Sequence, residues 1–279
     1  MIKIVTDSVS DIPPQVVEEL GITVVPLIVS FGSEYFRDGV DLTSDQFYER
    51  LQTSNVFPTT SVPPPLSFAE AYDRLADETD EIMVITVTST LSGTHEKALQ
   101  GKTLMKKECR VEVVDSRAEI MAEGFVVMRA ARAANAGASH QEVMEAIERT
   151  IPRVDILGAF DTLEYLRRGG RIGAAKVLLG SMLNVNPLIS VRDGQVIAAG
   201  KTRSRSRAID RLYEFVEGYS HVEELAVERA ACAEEAEALI HRLGKLFPEE
   251  RIHRCKISPV VGAHTGPGLL FVSILGDKA

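Results

Sequence analysis

Residues 81–97 read EIMVITVTSTLSGTHEK, and this stretch decides the fold class. It opens with a nearly continuous apolar run at 82–87, short and rich in β-branched residues. That pattern predicts a strand buried on both faces of a parallel sheet. The run breaks into Thr88-Ser89-Thr90 and Leu91-Ser92-Gly93-Thr94, and a helix is expected from about Thr94 to Lys106. A hydroxyl-and-glycine turn between strand and helix gathers O–H and N–H donors at a helix N-terminus, which favours a carboxylate or a phosphate. An ordinary N-cap at a βα turn reads the same way.

Outward from this stretch, strands and helices alternate. Residues 2–6 form a first strand, and Pro13-Pro14 opens a helix that Gly21 stops. Residues 22–31 form a second strand and 110–114 another. Capping boxes are expected at Thr43-x-x-Gln46, Ser67-x-x-Glu70, Ser116-x-x-Glu119 and Ser139-x-x-Glu142. This is a doubly wound α/β plan, whose ligands sit at the C-terminal ends of strands, and Ser92 would stand at such an end. Asp7 and Asp11 read as caps and turns. After Pro152 strict alternation stops. Strands are expected at 154–160, 224–229, 252–258 and 268–275, with a hairpin around Arg192-Asp193-Gly194 and helices at 206–218 and 233–246. The expectation is two domains, residues 1–155 as an α/β domain with a mostly parallel sheet and 156–279 as a second, α+β domain.

The chain has 279 residues, 45% hydrophobic and 25% charged, which is enough for a sizeable core. A net charge of −9 argues against nucleic-acid binding. Cys109, Cys232 and Cys255 are scattered without CxxC spacing, as expected of reduced thiols in a cytoplasmic protein. The opening MIKIVTDS reads directly as a strand with no signal peptide, and no apolar run approaches 18 residues. There is no GxxxxGK[ST] and no GxGxxG after a strand.

Five motifs stand in order: Thr59-Thr60-Ser61, then Leu91-Ser92-Gly93-Thr94, LEYLRRGGRI at 163–172, LNVNP at 183–187 and HTGPG at 264–268. Together with the opening IVTDSVSDIP they resemble the DegV family, lipid-binding proteins that include the FakB subunits of bacterial fatty acid kinases. The resemblance covers essentially the whole chain. It implies a two-domain fold with a lipid site between the domains, and that residues 60–77 pack with the second domain. It implies that Thr60, Ser61, Ser92, Gly93 and His264 converge on the carboxylate of a fatty acid. Arg171 matches an arginine associated with a partner surface, and Arg167 and Arg168 flank it. The function implied is that of a carrier with no stand-alone activity, metal or cofactor. It buries a fatty acid and presents the head group to a separate ATP-dependent kinase, which makes an acyl phosphate for phospholipid synthesis.

Neutral hydroxyl and amide donors suit a head group that must later be released, which a buried arginine clamp would hinder. The acyl slot is expected between the domains, lined from 24–29, Phe160, 177–183 and Leu188. The run Lys201, Arg203, Arg205 and Arg207 reads as an exposed helix start or as part of the docking face. Three positions depart from the family pattern: Val62 replaces the usual glutamine, Asn186 a frequent lysine, and His95 a frequent aromatic. The alternative reading is a hydrolase with Ser92 as nucleophile and His264 as base. Against it, Leu91-Ser92-Gly93 is not a GxSxG elbow and no third acid is evident.

Overall fold

The computed structural model describes every residue except 182–184. Its strands are β1 (Lys3–Asp7), β2 (Thr23–Val25), β3 (Ile28–Phe31), β4 (Glu34–Arg37), β5 (Thr59–Ser61), β6 (Glu81–Thr86), β7 (Arg110–Asp115), β8 (Val154–Ala159), β9 (Asn186–Arg192), β10 (Gln195–Thr202), β11 (Tyr219–Arg229), β12 (His253–Lys256) and β13 (Leu270–Lys278). Its α-helices are α1 (Pro14–Leu20), α2 (Ser44–Thr53), α3 (Pro65–Leu75), α4 (Thr94–Leu104), α5 (Ile120–Asn135), α6 (His140–Thr150), α7 (Glu164–Arg168), α8 (Arg205–Glu217), α9 (Ala233–Leu243) and α10 (Pro259–Thr265).

The N-terminal sheet is fully parallel in the order β2-β1-β6-β7. Val5 and residues 82–85 are wholly buried, as the unbroken apolar runs require. From β1 the chain moves outward to β2, then crosses to β6 and β7. The order therefore reverses between β1 and β6, and the crevice beyond their C-terminal ends is where such a sheet takes a ligand. Asp7 ends β1 and accepts the N–H groups of Val9 (3.0 Å) and Val87 (2.9 Å), tying the two strand ends together. It caps a turn, as the sequence indicated.

The expected strand at 22–31 is two strands. Pro26 has no N–H for the ladder and a fixed φ, so pairing stops there. β2 stays in the parallel sheet, while β3 leaves to pair antiparallel with β4 and β5. The third sheet has the order β10-β9-β8-β13-β11-β12, antiparallel except for β11 with β12. Its helices α8 and α9 cover one face through Leu212, Leu239 and Leu243. This mixed sheet is the α+β part expected after Pro152.

Two capping boxes form, at Thr43 and Ser139. The other two do not. Pro64 and Pro65 start α3 before Ser67, which lies inside the helix. The Ser116 hydroxyl instead accepts the Ala118 N–H and donates to the Ala118 carbonyl, and α5 begins only at Ile120. The segment 60–77 also divides differently from expectation. Its helix α3 packs on α4, burying Phe68, Ala71 and Tyr72 against Val5 and Val84 of the N-terminal sheet. It is β3, β5 and α2 that reach α10 of the C-terminal half. One core then runs between the halves, from Val9, Leu27 and Val87 to Phe160, Ile189, Val260 and Phe271. Among the described residues no helix is long and apolar enough to cross a membrane.

Candidate functional site

Three segments meet where the parallel sheet reverses its order. β5 brings Thr60, the turn after β6 brings Ser92 and Gly93, and the last turn of α10 brings His264. Thr60 Oγ1 and His264 Nε2 lie 2.7 Å apart. Ser92 Oγ accepts the N–H of Thr94 (3.3 Å) and pairs with Thr94 Oγ1 (2.8 Å). Gly93 occupies the N-cap of α4, and its N–H has no partner among the described residues.

Arg171 closes the group. Its Nε donates to Leu91 O (3.2 Å) and its Nη1 to Gly169 O (2.8 Å), joining the Ser92 loop to the loop after α7. The half-buried Arg171 guanidinium thus stands in the wall of this cluster, where the sequence reading had placed only neutral donors. Burial, and then the charge of Arg171, lower the His264 pKa to about 4. The ring is neutral near pH 7. Its Nδ1 is buried and unpartnered, facing Gly169 so closely that a Cβ there would overlap it. A buried orphan N–H costs more than an orphan lone pair, so we assign the proton to Nε2. His264 then donates to Thr60 Oγ1, and the Thr60 hydroxyl proton is free to point at an anion.

A narrow cavity of about 60 Å³ runs from this cluster into the shared core. Thr60, Ser92, Arg171 and His264 lie on its wall, followed by Val9, Leu27, Val87, Phe160, Ile189, Val196, Val260 and Phe271. Of the lining expected from sequence, Leu27 and Phe160 are on this wall. Leu188 faces the opposite side of its sheet and Val177 is exposed, while Leu183 lies outside the described residues. Ser61 is exposed and off the wall, because successive side chains of β5 face opposite ways.

Other placements differ in kind. Arg167 and Arg168 are exposed on α7 and both pair with Glu164. His95 approaches Thr86 Oγ1 at 3.3 Å and lines a separate polar cleft of about 1050 Å³. Arg205 is held by Glu235 and Asp161 rather than standing free on a docking face. Glu119 was not anticipated. It lines both the narrow cavity and the polar cleft, and burial lifts its pKa to about 7. Among the described residues no Ser92–His264 hydrogen bond exists and no carboxylate stands at His264 Nδ1, so they do not assemble a nucleophile–base–acid array.

Comparison with known proteins agrees over the full length. The DegV family model matches residues 1–277. A DegV domain-containing protein of Streptomyces coelicolor is 38% identical, with 98% of each chain covered. Among solved structures, a fatty-acid-binding DegV family protein of Thermus thermophilus matches with TM-score 0.90 and 31% identity over 99% of each chain. The fatty-acid-binding DegV of Bacillus subtilis matches with TM-score 0.90 and 30% identity, again over 99% of each.

Proposed function

The chain belongs to the DegV family, and on that basis we propose that it binds one long-chain fatty acid and presents the carboxylate to a separate ATP-dependent kinase. The observation that carries the reading is a cavity whose wall joins the Thr60, Ser92, Arg171 and His264 cluster to a largely apolar lining interrupted by Glu119. Thr60, whose hydroxyl is oriented by neutral His264, holds the carboxylate together with Ser92 and the Gly93 N–H, with Arg171 supplying a positive field beside it. Val9, Val87, Phe160, Ile189 and Phe271 take the chain.

Magnitudes separate the two ends. About 15 methylenes at ~0.8 kcal/mol each give roughly 12 kcal/mol before costs. Each head-group hydrogen bond adds roughly 0.5–1.5 kcal/mol net. The tail sets affinity and the head sets orientation. At about 60 Å³ the cavity is smaller than a typical ligand pocket. Loading therefore requires side chains such as Leu91, Leu166 and Val196 to part.

The kinase part of the reading rests on two features. The sequence has no GxxxxGK[ST] and no GxGxxG after a strand. Exposed Arg167 and Arg168 also sit within a turn of Gly169, which touches His264. Acyl-phosphate formation would proceed by attack of the carboxylate oxygen on the γ-phosphorus of the partner's ATP, releasing ADP. A water-poor cavity would shield the product from hydrolysis.

Native mass spectrometry of the freshly purified protein, with identification of ligand released on denaturation, tests the binding. One fatty acid per chain is expected. A chain that arrives empty and takes up no added palmitic acid would overturn the reading.

A further inference from the structure

The turn between β9 and β10 reaches across the molecule to the head-group loop. Asp193 (φ 49°) and Gly194 (φ 76°) make a two-residue hairpin turn with both central residues left-handed. Gly194 O accepts hydrogen bonds from Thr88 Oγ1 (3.4 Å) and from Thr90 Oγ1. The two hydroxyl oxygens are themselves 3.1 Å apart. Thr88 is wholly buried, and a Cβ on Gly194 would overlap its Oγ1.

Thr88 in turn fixes the loop. Its N–H donates to Ala118 O at 2.9 Å, and its carbonyl accepts the N–H groups of Leu91 and Ser92, each at 3.2 Å. A continuous set of hydrogen bonds therefore joins the hairpin tip, Thr88 and the backbone of Ser92. The body of the same hairpin forms cavity wall through Ile189 and Val196. One rigid element thus touches both the slot for the tail and the anchor of the head group.

We propose that the hairpin tip is a positioning device for the carboxylate site. Gly194 and Thr88 hold Ser92 and the Gly93 N–H in place, in register with the tail slot. Neither residue touches the ligand, so both act through the loop. Glycine is required at 194 because the turn needs positive φ and because any side chain would push Thr88 away. The inference rests on the fatty-acid reading, so the test separates the two.

The experiment measures binding of palmitic acid and of methyl palmitate to wild type, Thr88→Val, Thr88→Ser and Gly194→Ala by native mass spectrometry. The ester keeps the tail and lacks the anionic head. Thr88→Val keeps volume and loses the hydroxyl. It is expected to reduce the preference for acid over ester by roughly tenfold while leaving ester binding unchanged. Thr88→Ser should restore the preference, and Gly194→Ala should lose it. Equal losses for acid and ester in Thr88→Val would mean a merely structural role and overturn the inference. So would an unchanged preference. Wild type that takes neither ligand would overturn the fatty-acid reading, and this inference with it.

Discussion

At the residue scale, the site depends on contacts that a sequence motif does not disclose. Gly169 reads as a helix terminator, yet its decisive property is that the His264 ring lies where a side chain would be. Gly169→Ala is expected to displace the ring, break the Thr60–His264 bond and cost roughly 1–3 kcal/mol by overpacking. A fall in Tm with loss of acid-over-ester preference would show this; unchanged values for both would refute it. Glu119 makes the converse case, an acid on the wall of a largely apolar cavity. Its carboxyl has no partner among the described residues and burial lifts its pKa to about 7, so leucine would replace a partly desolvated acid on a largely apolar wall. Glu119→Leu is therefore expected to raise Tm and tighten palmitic acid binding severalfold. Weaker binding would show that the carboxyl contributes to the site. Thr60 and His264 were legible from their motifs. The separation of Thr60 from Ser61 was not read, although strand alternation carries the signal once β5 is known to be a strand.

At the scale of elements, the alternating strand and helix pattern was readable because burial on both faces imposes unbroken apolar runs. Helix starts were readable only where no stronger constraint intervened. Of the four capping-box patterns read as helix starts, those at Thr43 and Ser139 cap helices. At Ser67 two prolines set the start earlier. Near Ser116 the chain passes through left-handed Arg117 (φ 53°) and Ile120 (φ 49°), which no local pattern announces. The difference is measurable. Thr43→Ala should destabilise by about 1 kcal/mol through loss of the cap, whereas Ser67→Ala, inside a helix, should change stability by less than about 0.5 kcal/mol. Urea midpoints at constant m-value check both. Equal effects would contradict the assigned helix starts. Pro26 belongs here too: it was visible in the sequence, but its consequence, sending β3 into another sheet, depends on β4 and β5 supplying partners.

At the scale of the whole molecule, the two halves are joined through buried Asp11, which sequence reading treated as a turn residue, and Asp38, which it did not single out. Asp38 Oδ1 accepts the Val260 N–H (3.4 Å) and Asp11 Oδ2 the Ser258 N–H (3.3 Å), both at the start of α10. Burial raises Asp7 and Asp38 to about 7 and Glu228 to about 8. Each binds its proton more tightly when folded than when unfolded. Its stabilisation is therefore complete below the ordinary carboxyl range and is lost as pH rises through 7 to 8. His264 acts oppositely. Its folded pKa of about 4 lies below the ordinary 6.5, so its contribution is present above 6.5 and lost as pH falls toward 4. Glu224 is held at about 2, against the effect of its burial, by hydrogen bonds from His253 and Arg132, and it loses stability only at lower pH still. Between pH 8 and 6.5 the buried acids dominate, on the order of 1 kcal/mol each. Tm is therefore expected to rise by several degrees as pH falls from 8 to about 6, and to rise less steeply below 6.5, where the loss at His264 offsets part of the gain from the acids. Asp38→Asn keeps the oxygen that faces Val260 but cannot titrate, so it should flatten the slope between pH 6 and 8. If wild type and Asp38→Asn lose stability in parallel over that range, the Asp38 carboxyl is not what couples the joint between the halves to pH.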